Sequence, residues 1–136
     1  ACCIAVTQPR RVAALSLARR VAEELGEPRP GGMVGFRIGG ESRPGEHIDF
    51  CTTGYLLQLL INAPEQLSRY THVVLDEVHE RSTESDMLCL VVRMLAMAPR
   101  STGACLRIVV MSATLEANIF SAYFASGARP AAASLR

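Results

Sequence analysis

The chain has 136 residues, 49% of them hydrophobic, and a formal net charge of +1. This composition favours one globular α/β domain over a disordered segment. No apolar run reaches the roughly 18 residues of a membrane span, and no basic, apolar leader precedes the first strand. We therefore expect no membrane partner. The near-neutral net charge gives the chain no overall electrostatic attraction for nucleic acid, so any nucleic-acid site has to depend on a local group of charges.

The basic residues and the cysteines limit which phosphate-binding and metal sites the chain can form. All 14 basic residues are arginine, so the chain has no lysine to serve in a phosphate-binding G-x-x-x-x-G-K-[ST] loop. The five cysteines include no C-x-x-C pair, the spacing typical of zinc sites. Most of them lie in apolar runs, where they act as small core residues. This usage predicts an intracellular, reducing compartment, either nucleus or cytoplasm.

Strands and helices alternate along the chain. We predict a strand at 2–6 that Thr7-Gln8-Pro9 breaks, a helix at about 10–25, strands at 34–38 and 48–51, a helix at 55–61, a strand at 72–76, a helix from 82–86 to about 98, a buried strand at 106–111 and a short helix to about 124. The first helix has apolar residues near one face, at Val12, Leu15, Val21, Ala22 and Leu25. The alternation predicts a mainly parallel sheet with helices on both faces.

Four polar segments each follow the carboxyl end of a predicted strand. They are Thr7–Arg11, Thr52–Gly54, Asp76–His79 and Ser112–Thr114. In parallel sheets, ligands collect at the carboxyl ends of the strands. The sequence therefore predicts one functional edge.

Asp76 and Glu77 directly follow a short apolar run, and two interpretations are open. They could be solvated acids at a strand end. Alternatively, Asp76 could hold Mg²⁺ through water while Glu77 orients or deprotonates an attacking water in phosphoryl transfer. His79 then follows, as a proton relay or as a hydrogen-bonded link to Ser112 and Thr114 after the next strand.

The starts of two predicted helices carry residues that could bind a ligand. Arg10 and Arg11 lie where the helix dipole makes cations mildly unfavourable. They are either two solvated arginines or partners of an anion that rests on the free N–H groups. Thr52 or Thr53 can cap the second helix. This is either an ordinary cap or, because Gly54 lacks a Cβ, a place where a ligand can approach the backbone.

In this order, the segments resemble motifs of the first RecA-like domain of the DEAH-box (DEAH/RHA) ATP-dependent RNA helicases. Residues 7–14 (TQPRRVAA) match motif Ia at every position, and residues 52–57 (TTGYLL) look like motif Ib. Residues 76–82 (DEVHERS) resemble motif II in its DEVH form, and residues 112–114 (SAT) resemble motif III. Residues 34–38 (VGFRI) are similar to the family's VGYxIR segment, with Gly39 in place of its arginine. The resemblance covers about residues 1–125, and we expect residues 126–136 to be a divergent or frayed tail.

The resemblance implies a RecA-like fold of the P-loop NTPase type, with ATP and Mg²⁺ as cofactors. Asp76 would coordinate Mg²⁺ through water, and Glu77 would position the hydrolytic water next to the nucleotide. His79 would help to couple the state of ATP to a partner domain. The residues that would couple ATP hydrolysis to movement of the nucleic-acid strand are Arg81, Ser112, Ala113 and Thr114.

The resemblance also implies an RNA track that holds sugar and phosphate and does not read bases. Its residues would be Thr7, Gln8, Arg10, Arg11, Thr52, Thr53 and Gly54. Motif I would precede Ala1, so we expect a RecA-like domain that is incomplete at its N-terminus and inactive in isolation. A second RecA-like domain of the full-length chain would be the partner domain.

Two other interpretations compete with the helicase segment. One is a catalytically inactive, helicase-derived module that binds RNA or a protein. The other is a gene-model fragment that does not fold stably. The motifs leave the nucleic-acid substrate open, including the choice between RNA and DNA.

Overall fold

The computed structural model describes residues 2–97, 105–113 and 117–125. In chain order they form β1 (Ile4–Gln8), α1 (Arg11–Glu24), β2 (Val34–Ile38), β3 (Glu41–Arg43), β4 (Ile48–Thr52), α2 (Thr53–Asn62), β5 (His72–Leu75), α3 (Thr83–Met97), β6 (Arg107–Val110) and α4 (Ala117–Ala125). Short 3₁₀ turns cover Pro64–Arg69 and Val78–Glu80. Thr114 and the predicted tail lie outside the described residues. Across the described part, every helix is too short or too polar to cross a bilayer.

The strands form one six-stranded sheet in the order β3-β2-β4-β1-β5-β6. All neighbouring strands run parallel except β2 and β3. Thr7 of β1 is aligned with Cys51 of β4 and with Leu75 of β5. Leu75 is aligned in turn with Val110 of β6. The prediction of a mainly parallel sheet is confirmed, and the carboxyl ends of four neighbouring strands lie at one level on one edge.

Helices cover both faces of this sheet, as predicted. In β4 the successive residues Phe50 and Cys51 belong to different apolar clusters, because side chains alternate between the faces. On one face, α1 contributes Ala14, Ala18 and Ala22, each 0% exposed. Their spacing of four residues forms one stripe, and the small side chains let the helix approach the sheet closely. Helices α2 and α3 cover the other face through Leu56, Leu60, Leu88 and Val92.

The predicted apolar face of the first helix is wrong in part. Val12 is 75% exposed and Leu25 is 49% exposed. Leu15 and Val21 contact the margin of the cluster that contains Ala22. The alanine stripe sets the closest approach of α1 to the sheet, and this orientation turns Val12 towards solvent.

Two strand predictions need correction. Thr7 and Gln8 do not break the first strand, because they still pair with Cys51 and Thr52 of β4. Pro9 follows β1, and its missing N–H prevents further pairing in the ladder. The last strand, predicted to be buried, lies at the edge of the sheet, and its residues are half-buried or exposed.

Strand β3 was not predicted. Ile38 of β2 pairs with Glu41 of β3, so Gly39 and Gly40 form a two-residue hairpin loop, in which Gly40 has a φ of +86°. A Gly-Gly dipeptide is a known hairpin signal. All three residues of β3 are exposed, however, so no hydrophobic alternation indicates a strand.

Candidate functional site

The four polar segments lie at the carboxyl ends of β1, β4, β5 and β6 and meet at one edge of the sheet, and the first two include the last residues of their strands. Their strands are neighbours in the order β4-β1-β5-β6. The predicted segments therefore share one edge, with Thr114 as the member that lies outside the described residues, and the function of this edge stays a prediction. Hydrogen bonds connect each of these segments to the next.

Thr7 and Gln8 of β1 are joined to Asp76, which follows β5. The Thr7 hydroxyl donates to the Val74 carbonyl at 3.3 Å and accepts from the backbone N–H of Asp76 at 3.2 Å. Nε2 of Gln8 donates to Oδ2 of Asp76 at 2.5 Å. Thr7 is 2% exposed and Gln8 is 5% exposed. Both side chains are thus engaged within the sheet edge, and their part in an RNA track stays a prediction.

Asp76 and Glu77 lie at the point where the chain leaves the strand direction. Glu77 has φ 55° and ψ 32°, a left-handed conformation that costs on the order of 1–3 kcal/mol for a non-glycine residue. Its N–H donates to Oδ1 of Asp76 at 2.8 Å. The next residue, Val78, is 1% exposed and holds the turn in the core. The turn leaves both carboxylates half-buried at the edge.

His79 links this turn to the segment after β6. Its Nδ1 lies 3.3 Å from the backbone nitrogen of Ala113, and its Nε2 lies 3.3 Å from Oε2 of Glu77. A backbone N–H can only donate, so Nδ1 is the acceptor and Nε2 carries the proton that faces Glu77. His79 thus forms a hydrogen-bonded link to the segment after β6 through the backbone of Ala113, whereas the predicted partners were Ser112 and Thr114, the latter of which lies outside the described residues. Its catalytic role stays a prediction.

Thr52, Thr53 and Gly54 start α2 on the other side of β1. Oγ1 of Thr52 accepts from the backbone N–H of Tyr55 at 3.4 Å, so Thr52 is the predicted cap. The Thr53 hydroxyl donates to the carbonyl of Gln8 at 3.3 Å. A Cβ on Gly54 would lie 2.9 Å from a carboxylate oxygen of Glu84. No local pattern in the sequence marks Glu84, thirty positions later, as a neighbour of this turn.

Arg10 and Arg11 are exposed at the start of α1. The side chain of the N-cap residue, Arg10, forms no capping hydrogen bond, and the first turn of the helix contains no acidic residue. Arg10 approaches Glu80 at 3.8 Å, and its side chain is 80% exposed. Arg10 and Arg11 thus lie at the beginning of α1, and the binding of an anion there stays a prediction. Arg81 instead pairs with Asp86 at 3.0 Å, and its coupling role stays a prediction.

The described residues offer no cluster of three or more acidic, cysteine or histidine side chains around one point. A protein cage for a metal is thus not found in this part of the chain. Mg²⁺ commonly uses one or two carboxylates, several waters and the phosphates of a substrate. The half-buried carboxylate of Asp76 fits this mode of binding.

Asp49 was not identified from the sequence, although it is the centre of a buried polar network. It is 0% exposed and accepts hydrogen bonds from Nε of Arg37 at 2.8 Å, the hydroxyl of Tyr70 at 2.8 Å and the N–H of Gly45 at 2.7 Å. Burial is the largest single effect on the pKa of Arg37 and would lower it, but the hydrogen bond to Asp49, the charges of Tyr70 and Asp49 and a hydrogen bond to Tyr55 together outweigh burial and raise that pKa. Burial, with the nearby carboxylate, also raises the pKa of Tyr70.

The fold and its edge correspond to an α/β domain consistent with the RecA-like domain of a helicase. No protein-family model matches the chain. The chain is 44% identical over 125 residues to "probable ATP-dependent RNA helicase spindle-E" of Aedes aegypti. It is 45% identical over 129 residues to "ATP-dependent RNA helicase dhx29" of Xenopus laevis, and 43% identical over 130 residues to "ATP-dependent RNA helicase TDRD9" of Danio rerio.

These alignments cover 90–94% of this chain but only 9% of the length of each relative. The predicted resemblance to the helicase family is confirmed: the chain is homologous to one segment of ATP-dependent RNA helicases.

Proposed function

We propose that this chain is a segment of an ATP-dependent RNA helicase, in which ATP hydrolysis drives movement along RNA and its unwinding. One observation carries the proposal: four neighbouring strands deliver the four motif-bearing segments to one edge of the sheet. The similarity to ATP-dependent RNA helicases supports it. RNA and a second RecA-like domain of the full-length chain are the partners that the proposal requires.

Asp76 and Glu77 supply the hydrolytic half of the ATP site in this proposal. Bound Mg²⁺ and ATP would provide charge neutralisation and the phosphoryl group to be transferred. Asp76 would hold the cation through water. Oε2 of Glu77 faces the Nε2–H of His79, which leaves Oε1 to orient the attacking water. The Glu77 side chain is 41% exposed, so water can reach it.

The starts of α1 and α2 grip the RNA backbone in this proposal. Free N–H groups at a helix start and guanidinium forks both suit phosphate. Arg10 and Arg11 provide these groups at the uncapped end of α1. Gly54, at the start of α2, gives RNA a second place to approach the protein backbone, and the buried Thr52 and Thr53 hold this turn. Such contacts do not depend on base sequence.

Coupling between the two sites would pass along the edge of the sheet. His79 joins the turn that contains Glu77 to the backbone of Ala113. A change at the nucleotide can therefore reach the segment after β6 through one imidazole ring. Ser112, Thr114 and Arg81 complete the coupling set of the proposal.

The test is RNA-stimulated ATP hydrolysis by the full-length protein, with Glu77→Gln as the variant and the exposed Glu65→Gln as a matched control. We expect Glu77→Gln to lower turnover by about 100-fold or more, because general-base catalysis contributes about that much. Nucleotide binding should persist, and the control should match the wild type. Unchanged turnover would remove Glu77 from this role. A wild-type protein that binds RNA without turnover would instead support the inactive binding module.

A further inference from the structure

We propose that Gln8 is a positioning residue for Asp76, so that the segment predicted to line the RNA track also sets the carboxylate of the ATP site. This inference rests on the proposed function, because Asp76 is taken as the carboxylate that binds the cation. In this inference the Gln8 side chain supports the nucleotide site through Asp76 and does not contact RNA. The assignment follows from its hydrogen bonds and its burial.

The contact between Gln8 and Asp76 fixes the plane of the carboxylate. Nε2 of Gln8 lies 2.5 Å from Oδ2 of Asp76, and the N–H of Glu77 lies 2.8 Å from Oδ1. Each carboxylate oxygen therefore has a donor of its own. An ionised carboxylate only accepts hydrogen bonds, so the NH₂ group of the Gln8 amide faces it. Rotation of the Asp76 side chain would break both contacts.

Burial makes the Gln8 amide unsuitable for direct contact with RNA. The residue is 5% exposed, whereas Arg10, two positions later, has a side chain that is 80% exposed. One N–H of the amide is engaged with Asp76, and burial leaves little of the residue open to an RNA phosphate. The Gln8 amide therefore forms its contact with Asp76 inside the sheet edge.

Gln8 is also held from its other side. The Thr53 hydroxyl donates to the Gln8 carbonyl at 3.3 Å, and Gln8 is aligned with Thr52 across β1 and β4. The start of α2 therefore contacts the residue that holds Asp76. A ligand that shifts the start of α2 changes the support of the carboxylate through one intervening residue.

The test uses the full-length protein with Gln8→Met, which keeps the length of the side chain and removes the donor. The exposed glutamine of α2 gives a matched control, Gln58→Met. Two quantities are measured: the Mg²⁺ concentration for half-maximal binding of a fluorescent ATP analogue, and the affinity for single-stranded RNA without nucleotide. We expect Gln8→Met to raise the Mg²⁺ half-point by about tenfold or more, as loss of an outer-shell partner typically does. The RNA affinity of Gln8→Met should stay close to that of the wild type, because the amide does not contact RNA in this proposal. The exposed control, Gln58→Met, should change neither quantity by more than about twofold, as expected of a surface substitution.

A double-mutant cycle separates positioning from general damage. In an Asp76→Asn background, Gln8→Met should have no further effect on nucleotide binding, because the two residues act as one unit. If Gln8→Met does not fold, Gln8→Asn keeps a neutral amide but is one methylene shorter, so its NH₂ group should no longer reach Oδ2 of Asp76, and it should raise the Mg²⁺ half-point as well.

An Mg²⁺ half-point within about twofold of the wild type would overturn the inference, and so would an equal effect of Gln8→Met in the Asp76→Asn background. A loss of RNA affinity alone would return Gln8 to the RNA track. A wild-type protein that binds no nucleotide would instead refute the proposed function.

Discussion

Replacing Asp49 with leucine should lower the free energy of unfolding by about 3–5 kcal/mol, the usual cost of breaking a buried ion pair by removing one partner. The Asp49 carboxylate is fully buried and accepts hydrogen bonds from Arg37, Tyr70 and Gly45. The Arg37 side chain is only 13% exposed. Without Asp49, its guanidinium would stay in the interior and lose its counter-ion.

Removing one donor from the same network should cost less. Tyr70→Phe keeps the ring and removes the hydroxyl that lies 2.8 Å from Oδ2 of Asp49. A hydrogen bond to a charged group is worth about 1.5–3 kcal/mol, so we expect a loss in that range. Urea denaturation of the chain, followed by far-UV circular dichroism, measures both variants against the wild type.

A double variant tests the reasoning. Arg37→Met combined with Asp49→Leu replaces the ion pair with apolar side chains, which proteins often tolerate. We expect the double variant to be more stable than Asp49→Leu alone, with a coupling energy of at least about 1 kcal/mol. If the losses of stability caused by Arg37→Met alone and by Asp49→Leu alone add up to the loss in the double variant, the ion pair is not the source of the stability. If Asp49→Leu costs less than Tyr70→Phe, the network is centred elsewhere.

Three further predictions concern the helix starts and one buried thiol. Arg10→Gln should reduce the slope of log affinity for single-stranded RNA against log salt by about 0.7, which corresponds to the loss of one phosphate contact. The control Arg19→Gln, further along α1, should leave the slope unchanged. Equal slopes for the two variants would count against an RNA contact at Arg10. Gly54→Ala should change the free energy of unfolding by less than about 1 kcal/mol, because the flexible Glu84 carboxylate can move away, yet weaken RNA binding; a loss of stability large enough to explain the weaker binding would contradict this. Burial raises the pKa of Cys89 from its ordinary 9.0 to about 11, so the thiol keeps its proton to a higher pH in the folded state, and the free energy of unfolding should fall between pH 9 and pH 11 by on the order of 1–2 kcal/mol. In urea titrations at these pH values, Cys89→Ala should show a smaller fall. An identical fall would show that the Cys89 thiol is not the cause.

Local patterns in the sequence were sufficient for most of the fold. Helix α1 and strand β2 follow from periodicity and from the Gly and Pro residues between them. The orientation of α1 did not follow, because a scale of hydrophobicity ranks Val12 above Ala14, whereas close packing on the sheet favours the smaller residue. Strand β3 was missed because its residues are all exposed, so that only backbone pairing defines it.

The position of the site could be predicted, but its internal contacts could not. The rule that ligands lie at the carboxyl ends of parallel strands places Asp76 and Gln8 on the same edge. Their hydrogen bond joins residues 68 positions apart, and no local pattern reports such a pair. Asp49 shows the same limit, because its partner Tyr70 is 21 positions away. A single acid within an apolar strand is a signal that could have found it, since burial of a charge requires partners.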